Sequence, residues 1–593
     1  MTPNHLELKS ADGTKLNLEA LYQIAPSCFT EVKDEKTGEL RHVVNFTTLR
    51  QLLGDDAVDD APEMYQFTWP GKQEARREAA RPITDTLRPC PEESVDWDTT
   101  QNLYIEGDNL AVLKLLQKGY MGKVKMIFID PPYNTGTDFI YHDNFVATQQ
   151  EMDLFSGDVD EEGNRYRKNT DSNGRFHSDW CSMMYSRLTI ARSLLAEDGG
   201  IFISIDYNEF DNLKKIMDEV FGEANFQREI IWRIGWLSGY KTTAPNFIRN
   251  HDTILFYSKN ADVMNFNKKY IENKDFKEIV KKEPKICGKL TELGLSKNQQ
   301  DELLEFINHT NRPERYPIED TWNANEYDDL NSIAIVSFSG EKISKILDID
   351  QDFKGQKSVK MLKRIIESMV PKDGIILDFF SGTASTAHAV MQLNYEDQGS
   401  RQFIMVQLPE ESPVDSEAYK VGYKTICEIG KERIRRIGCK MKEDVGILAQ
   451  CLDTGFRVFK IADSNFNNIE FTPKEFTQDL LSGLESNIKE GRTDLDLLFG
   501  AMLDWGVQLS LPMSKETVNG CDIYTVNEGD LVACFSENIT ENVVSAMAAK
   551  MPLRVLFRDS CFSEDKAKIN VFELFKQKLD WGEDEAIKNI RVI

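Results

Sequence analysis

No apolar run in the 593 residues approaches the roughly 18 needed to cross a bilayer, which excludes a helical membrane span. Cysteine is sparse and scattered: ten residues, with no Cys-x-x-Cys pair and no metal-like Cys/His spacing. Neither a disulfide framework nor a metal site is expected. The start, Met1-Thr2-Pro3-Asn4-His5, is polar and carries no secretory pattern, so a cytoplasmic location is expected. A Gly-x-x-x-x-Gly-Lys-Ser/Thr loop is absent, which assigns ATP hydrolysis of that kind to some other chain. No internal repeat and no low-complexity tract is present. Basic residues are the minority, 71 against 98 acidic ones, for a net charge of -27. Any grip on nucleic-acid phosphates must therefore come from local patches, because a protein that holds DNA needs a basic footprint somewhere.

What is present is a globular composition, 41% hydrophobic and 28% charged, on a chain long enough for several domains. One tetrapeptide organises the reading. Asp130-Pro131-Pro132-Tyr133 closes the apolar run Val124-Lys125-Met126-Ile127-Phe128-Ile129. With each residue at roughly 5% usage, a given tetrapeptide arises by chance in about 0.4% of chains this long, so an ordinary Pro-rich turn explains it poorly.

The chemistry such a turn suits is methylation of an exocyclic amino group. The lone pair of that nitrogen is delocalised into the base, and a carboxylate with a backbone carbonyl can draw it back. Asp130 and the carbonyl of Pro131 would accept the two N–H hydrogens, and Pro132 helps make the turn rigid, since proline fixes φ and has no N–H. Tyr133 offers a flat face on which a flipped base can stack.

A second element, Gly374-Ile375-Ile376-Leu377-Asp378-Phe379-Phe380-Ser381-Gly382-Thr383-Ala384-Ser385, is an apolar run ending in a small-residue loop before a helix over residues 383–393. Alone it is equally an ordinary strand-turn-helix connection. Beside the first motif it becomes a candidate cofactor loop, because a doubly wound sheet puts its ligands where strand order reverses.

Together these stretches resemble the β-group DNA amino-methyltransferases. The wording Asn102-Leu103-Tyr104-Ile105-Glu106-Gly107-Asp108-Asn109-Leu110, then Ile129 to Gly136, residues 403–410 and Ile426 to Arg436, resembles more narrowly the modification subunits of type III restriction-modification systems. The resemblance implies an α/β fold: a doubly wound S-adenosylmethionine-dependent methyltransferase sheet in circular order, catalytic motif before cofactor motif. It implies that Asp378, Phe379, Phe380, Ser381, Gly382 and Thr383 surround the methionine part of S-adenosylmethionine. Glu410 would bind the ribose hydroxyls, although Leu408-Pro409-Glu410-Glu411 also reads as a solvated turn, and Asp108 would lie near the cofactor's adenine. It also implies adenine N6 as target, double-stranded DNA as substrate, a homodimer, and an ATP-dependent helicase-nuclease (Res) partner. N4-cytosine methylation and a catalytically silent DNA-recognition subunit are the alternatives.

Where relatives often carry a phenylalanine followed by Pro-Lys-Pro, this chain has Phe353-Lys354-Gly355-Gln356-Lys357-Ser358-Val359-Lys360, without either proline. Its lysines are read as a solvated helix start, with part of a cofactor or DNA contact the other reading. Two basic patches stand out. Arg228, Arg233, Lys241, Arg249 and Lys259 meet only Glu229 and Asp252, and they interleave with Trp232, Trp236, Tyr240 and Phe247. Arg233, Trp236, Tyr240, Lys241 and Arg249 are the candidate DNA contacts, with a solvated hairpin the other reading. Residues 423–442 hold seven basic residues against two acidic ones on an amphipathic helix, read as a solvated face ahead of a DNA contact.

Residues 124–130, 200–206, 229–232 and 253–257 read as strands and 180–195 as a helix. The expected domains are an N-terminal accessory region and linker (1–100), a catalytic half (101–258), an inserted target-recognition domain (259–353), a cofactor half (354–440) and a C-terminal oligomerisation or partner domain (441–593).

Overall fold

In the computed structural model the described residues are 9–33, 40–53, 66–135, 139–141, 166–168, 176–233, 247, 249, 251–276, 278–323, 343–349, 356–445, 452–467, 488–537, 539–562 and 565–593. A ten-stranded sheet forms the centre. Its strands in chain order are β1 (Thr86–Pro89), β2 (Leu103–Glu106), β3 (Val124–Ile129), β4 (Leu195–Ile205), β5 (Phe226–Arg233), β6 (His251–Ser258), β7 (Thr321–Asn323), β8 (Ile375–Asp378), β9 (Gln402–Gln407) and β10 (Arg457–Ala462). In space they run β7-β5-β6-β4-β3-β8-β9-β2-β10-β1.

The run β4-β3-β8-β9-β2-β10 is parallel throughout. Parallel strands are covered on both faces, which is why β3 reads as an almost unbroken apolar string. Val124, Met126, Ile127, Phe128 and Ile129 are all buried, and each such side chain contributes roughly 1.5–3 kcal/mol. β3 and β8 are hydrogen-bonded neighbours, with Met126 opposite Ile376 and Ile127 opposite Leu377. From β3 the order continues outward to β4, and from β8 outward to β9, so strand order reverses between the two motif strands.

Helices cover both faces: α1 (Lys72–Ala80), α2 (Asn109–Tyr120), α3 (Phe176–Leu194), α4 (Phe210–Phe221), α5 (Val359–Met369), α6 (Ser385–Asp397), α7 (Ile426–Val445) and α8 (Asp494–Trp505). α5 shows how its sequence dictates its seat. Leu362, Ile365, Ile366 and Met369 recur at helical spacing and are buried, while Ser358 caps the start by accepting a hydrogen bond from the Met361 amide at 3.3 Å.

The sheet runs past the expected boundaries at 100 and 440. β1 and β10 pair with each other and β10 with β2, so both flanks of the chain contribute strands. The inserted region also supplies an edge strand, β7, parallel to β5. Otherwise its described part includes the α-helices Pro284–Glu292, Lys297–Glu305 and Ile343–Leu347 and a short antiparallel pair, Tyr270–Glu272 with Arg315–Pro317. Near the C-terminus β11 (Met513–Val518), β12 (Cys521–Val526), β13 (Leu531–Cys534), β14 (Val555–Phe557) and β15 (Ile590–Val592) form a separate five-stranded sheet with its own core. Among the described residues no helix is long and apolar enough to cross a membrane.

Candidate active site

Because β2, β3, β4, β8 and β9 are parallel, their carboxyl ends share one edge of the sheet. Asp130 follows β3 directly, Asp378 ends β8, Glu410 lies three residues past β9 and Asp108 two past β2. The residues assigned to base and cofactor, distant in sequence, thus meet along one edge, where doubly wound sheets hold ligands.

The turn after β3 is held from three sides. Fully buried Trp180 on α3 donates its indole N–H to the Pro132 carbonyl at 2.7 Å. This tie takes the second proline's carbonyl and not the first's, the one assigned to the target amino group. The Tyr133 hydroxyl lies 2.8 Å from Ser204 Oγ on β4. Asn134, at φ +58° and buried, donates to Glu209 and to the Phe176 carbonyl, and His177 reaches the same Glu209 oxygen at 2.6 Å. Trp180, Ser204 and Glu209 carry no motif of their own. Only the apolar helix around Trp180 hinted that it packs on this strand.

Lys357 corrects the sequence reading. Far from solvated, its side chain is 15% exposed, with Nζ 2.9 Å from Asp130 Oδ1 and donating to the Tyr133 hydroxyl at 2.7 Å. Burial works against the Lys357 charge, but Asp130 and Tyr133 outweigh it and hold the ammonium above the usual lysine range. Burial likewise pushes the Asp130 carboxyl up, while Lys357 and Tyr133 pull it back toward ionisation. Phe353, Lys354 and Gly355 lie outside the described residues.

The loop after β8 is shaped by its own aspartate. Asp378 Oδ1 accepts from the Phe380 amide at 3.1 Å and Oδ2 from the Thr386 hydroxyl at 2.6 Å, and burial raises its pKa to about 7. Gly382 takes φ +49° and donates its amide to Gln407 Oε1 at 2.7 Å; a side chain there would meet nothing within 4 Å, so the loop is open to a ligand. The Phe379 ring is fully buried in the core and its carbonyl accepts from Asn109 at 2.8 Å. Phe380 and Ser381 are also largely buried. An open glycine turn between an aspartate-shaped strand end and a neighbouring strand followed by an acid, Glu410, fits S-adenosylmethionine.

Asp108 caps α2 through the Ala111 amide at 3.0 Å and pairs with buried Arg187 at 3.1 Å. Arg187 also holds Asn109, which in turn holds the Phe379 carbonyl, tying α3 to the loop.

The helical patch at residues 423–442 is not simply a solvated face. Arg433 is fully buried and braces the loop, Nη1 donating to the Thr383 carbonyl and hydroxyl at 3.2 Å and to Ser385 Oγ at 2.8 Å. Lys431, also buried, pairs with Glu93 and Glu106. These two charges sit inside because each has a partner there.

Of the candidate DNA contacts, Arg233 ends β5 opposite His251, and Arg249 donates to the His251 carbonyl at 2.9 Å with its guanidinium 4.9 Å from the Tyr207 ring centre. β6 is antiparallel to both β4 and β5, which brings Arg233 to the edge that carries Asp130. Trp236, Tyr240 and Lys241 lie outside the described residues.

A family model described as DNA methylase matches residues 124–445, from the first residue of β3 to the last of α7. The chain belongs to the DNA methylases. Within that family its relatives include the StyLTI Mod subunit of Salmonella typhimurium, a type III restriction-modification enzyme, 32% identical over 75% of this chain and 74% of the relative. The EcoP15I Mod subunit of Escherichia coli is 30% identical over 72% of this chain and 78% of its own, and the EcoPI Mod subunit of Escherichia phage P1 is 30% identical over 70% and 74%. A solved M1.HpyAVI-SAM complex lies further off, at 14% identity, 56% of this chain, 98% of its own and a TM-score of 0.29. This DNA methylase is therefore one of the type III Mod subunits, on the strength of its sequence relatives.

Proposed function

We propose that the chain methylates the N6 amino group of adenine within a short DNA sequence, as the modification and recognition subunit of a type III restriction-modification system. The observation that carries this is the pairing of β3 with β8, which brings the Asp130 turn and the Asp378 loop to one edge. Bound S-adenosylmethionine supplies an electrophilic sulfonium methyl. Asp378 to Thr383 would hold its methionine part, Glu410 its ribose and Asp108 the region of its adenine.

The chain's own residues do the rest. A target base flipped from the duplex stacks on Tyr133, whose hydroxyl is already fixed by Ser204 and Lys357. Asp130 and the Pro131 carbonyl accept the amino hydrogens and turn the nitrogen lone pair toward the methyl group. Asp130 is too weak a base to deprotonate the neutral amine, so the proton leaves only after nitrogen has gained positive charge.

Arg233, Trp236, Tyr240, Lys241 and Arg249 would lie along the DNA, with 259–353 reading its sequence. Residues 441–593 would serve a homodimer and the docking of an ATP-dependent helicase-nuclease subunit. Support for that partner comes from the type III relatives and from the absence of a phosphate loop here.

Modification sequencing of DNA from a methylation-deficient host tests the proposal, with wild type and Asp130→Ala expressed in parallel. N6-methyladenine at one short motif, lost in the variant, is the expected result. N4-methylcytosine would transfer the assignment to the other amino base, and an unmodified genome from well-folded protein would leave a recognition subunit.

A further inference from the structure

Lys357 stands where neither a helix start nor a cofactor loop requires a charge. Its backbone is fixed by the Ser358 cap and by fully buried Val359, and its ammonium is set between the Asp130 carboxylate and the Tyr133 hydroxyl. An ammonium has three N–H donors and no acceptor. Among the described residues, the Tyr133 hydroxyl takes one and Asp130 Oδ1 lies against the ammonium as an ion partner, which leaves a donor for a ligand.

Adenine and cytosine share a pattern on their pairing edge. Beside the amino donor stands a bare ring nitrogen, N1 in adenine and N3 in cytosine, which accepts. Guanine and thymine carry an N–H at that position, flanked by a carbonyl. A flipped base is read through hydrogen bonds to this edge. Asp130 Oδ1 is buried against Lys357 Nζ at 2.9 Å, so the other oxygen of the part-exposed carboxylate and the ammonium present an acceptor next to a donor, the complement of the adenine and cytosine edge and the inverse of that of guanine and thymine.

We infer that Lys357 donates to the ring nitrogen adjacent to the target amino group, so that Asp130 and Lys357 together read the flipped base as adenine against thymine and guanine. This rests on the reading above, in which Asp130 holds the amino group. Tyr133 keeps its own anchor on Ser204, so Lys357 can shift toward the base without releasing the stacking ring. Donation to the ring nitrogen orients the base and draws a little density from it. The contact therefore serves selection and binding more than the methyl-transfer step.

The test uses the full-length protein, S-adenosylmethionine and duplexes carrying adenine or 1-deazaadenine at the methylated position of the motif found by sequencing. 1-Deazaadenine keeps the amino group and replaces N1 with C–H. Wild type is expected to prefer adenine by about tenfold or more in single-turnover kcat/KM, the scale of one lost charge-assisted hydrogen bond. Lys357→Met is expected to lose most of that preference, which also corrects for the intrinsic reactivity of the analogue. An equal preference in wild type and variant overturns the inference. So does equal methylation of both bases by wild type, a measurement that needs no substitution. Methylation surviving in Asp130→Ala would instead sink the underlying reading, which keeps the two failures apart.

Discussion

Trp180 and Pro132 are joined by a 2.7 Å hydrogen bond that runs from the buried face of α3 into the turn assigned to the target base. The helix thereby sets the attitude of the prolines, and the site's geometry depends on a side chain that touches no reactant. Trp180→Phe keeps an aromatic ring in the core and removes the donor along with part of the indole's bulk. Stability is expected to fall by roughly 1–3 kcal/mol, the cost of a buried carbonyl losing its partner. Single-turnover methylation should slow by about tenfold or more through misplacement of the turn, with S-adenosylmethionine affinity unchanged. Denaturant melts and rapid-quench assays on the same preparation read both.

Arg433 acts at the other half of the site. Arg433→Met removes the donors that hold Thr383 and Ser385, so the cofactor loop loses its brace. The expected outcome is a roughly tenfold or larger rise in the Kd for S-adenosylmethionine, measured calorimetrically without DNA. An unchanged Kd would show that the loop holds its shape unaided.

Glu410→Ala separates cofactor binding from chemistry. A group that binds ground and transition states alike changes KM without changing kcat. The variant should need about tenfold or more S-adenosylmethionine for half-saturation, yet turn over near the wild-type rate when saturated. A fall in saturated kcat alone would remove Glu410 from the cofactor site.

Asp378 gives a pH signature. Its pKa in the fold is raised to about 7 by burial, so the folded state keeps a proton that the unfolded chain releases near its usual value of about 4. Stability from this group is therefore complete below pH 4 and declines as pH rises toward 7. Asp378→Asn removes the titration while retaining an acceptor for the Phe380 amide. The melting temperature of the variant relative to wild type should climb between pH 4 and 7, and a flat difference would contradict the assignment.

The two motif strands were legible because a buried parallel strand is apolar along its whole length and each one ends in an unusual loop. The prediction that they adjoin came from fold logic, and Met126 opposite Ile376 bears it out. Strands β1 and β10 escaped, being short elements whose membership is decided by partners hundreds of residues away. Lys357 and Arg433 escaped for a related reason. Charge on a helix or helix start ordinarily faces water, and only the fold reveals that Asp130 waits for one and the Thr383 carbonyl for the other. The Asp108 motif was visible, but its tie to Arg187 was not.

The seam between β3 and β8 also bears on how such proteins diversify. Apart from the edge strand β7, the described part of the span between β6 and α5 is a detour from the sheet, and the entropy of closing a detour grows only with the logarithm of its length, about 0.6 kcal/mol for each doubling. With 259–353 proposed to read the DNA, segments of quite different size can therefore be exchanged within that span at small cost to the seam. The chemistry stays fixed while the address it is delivered to changes.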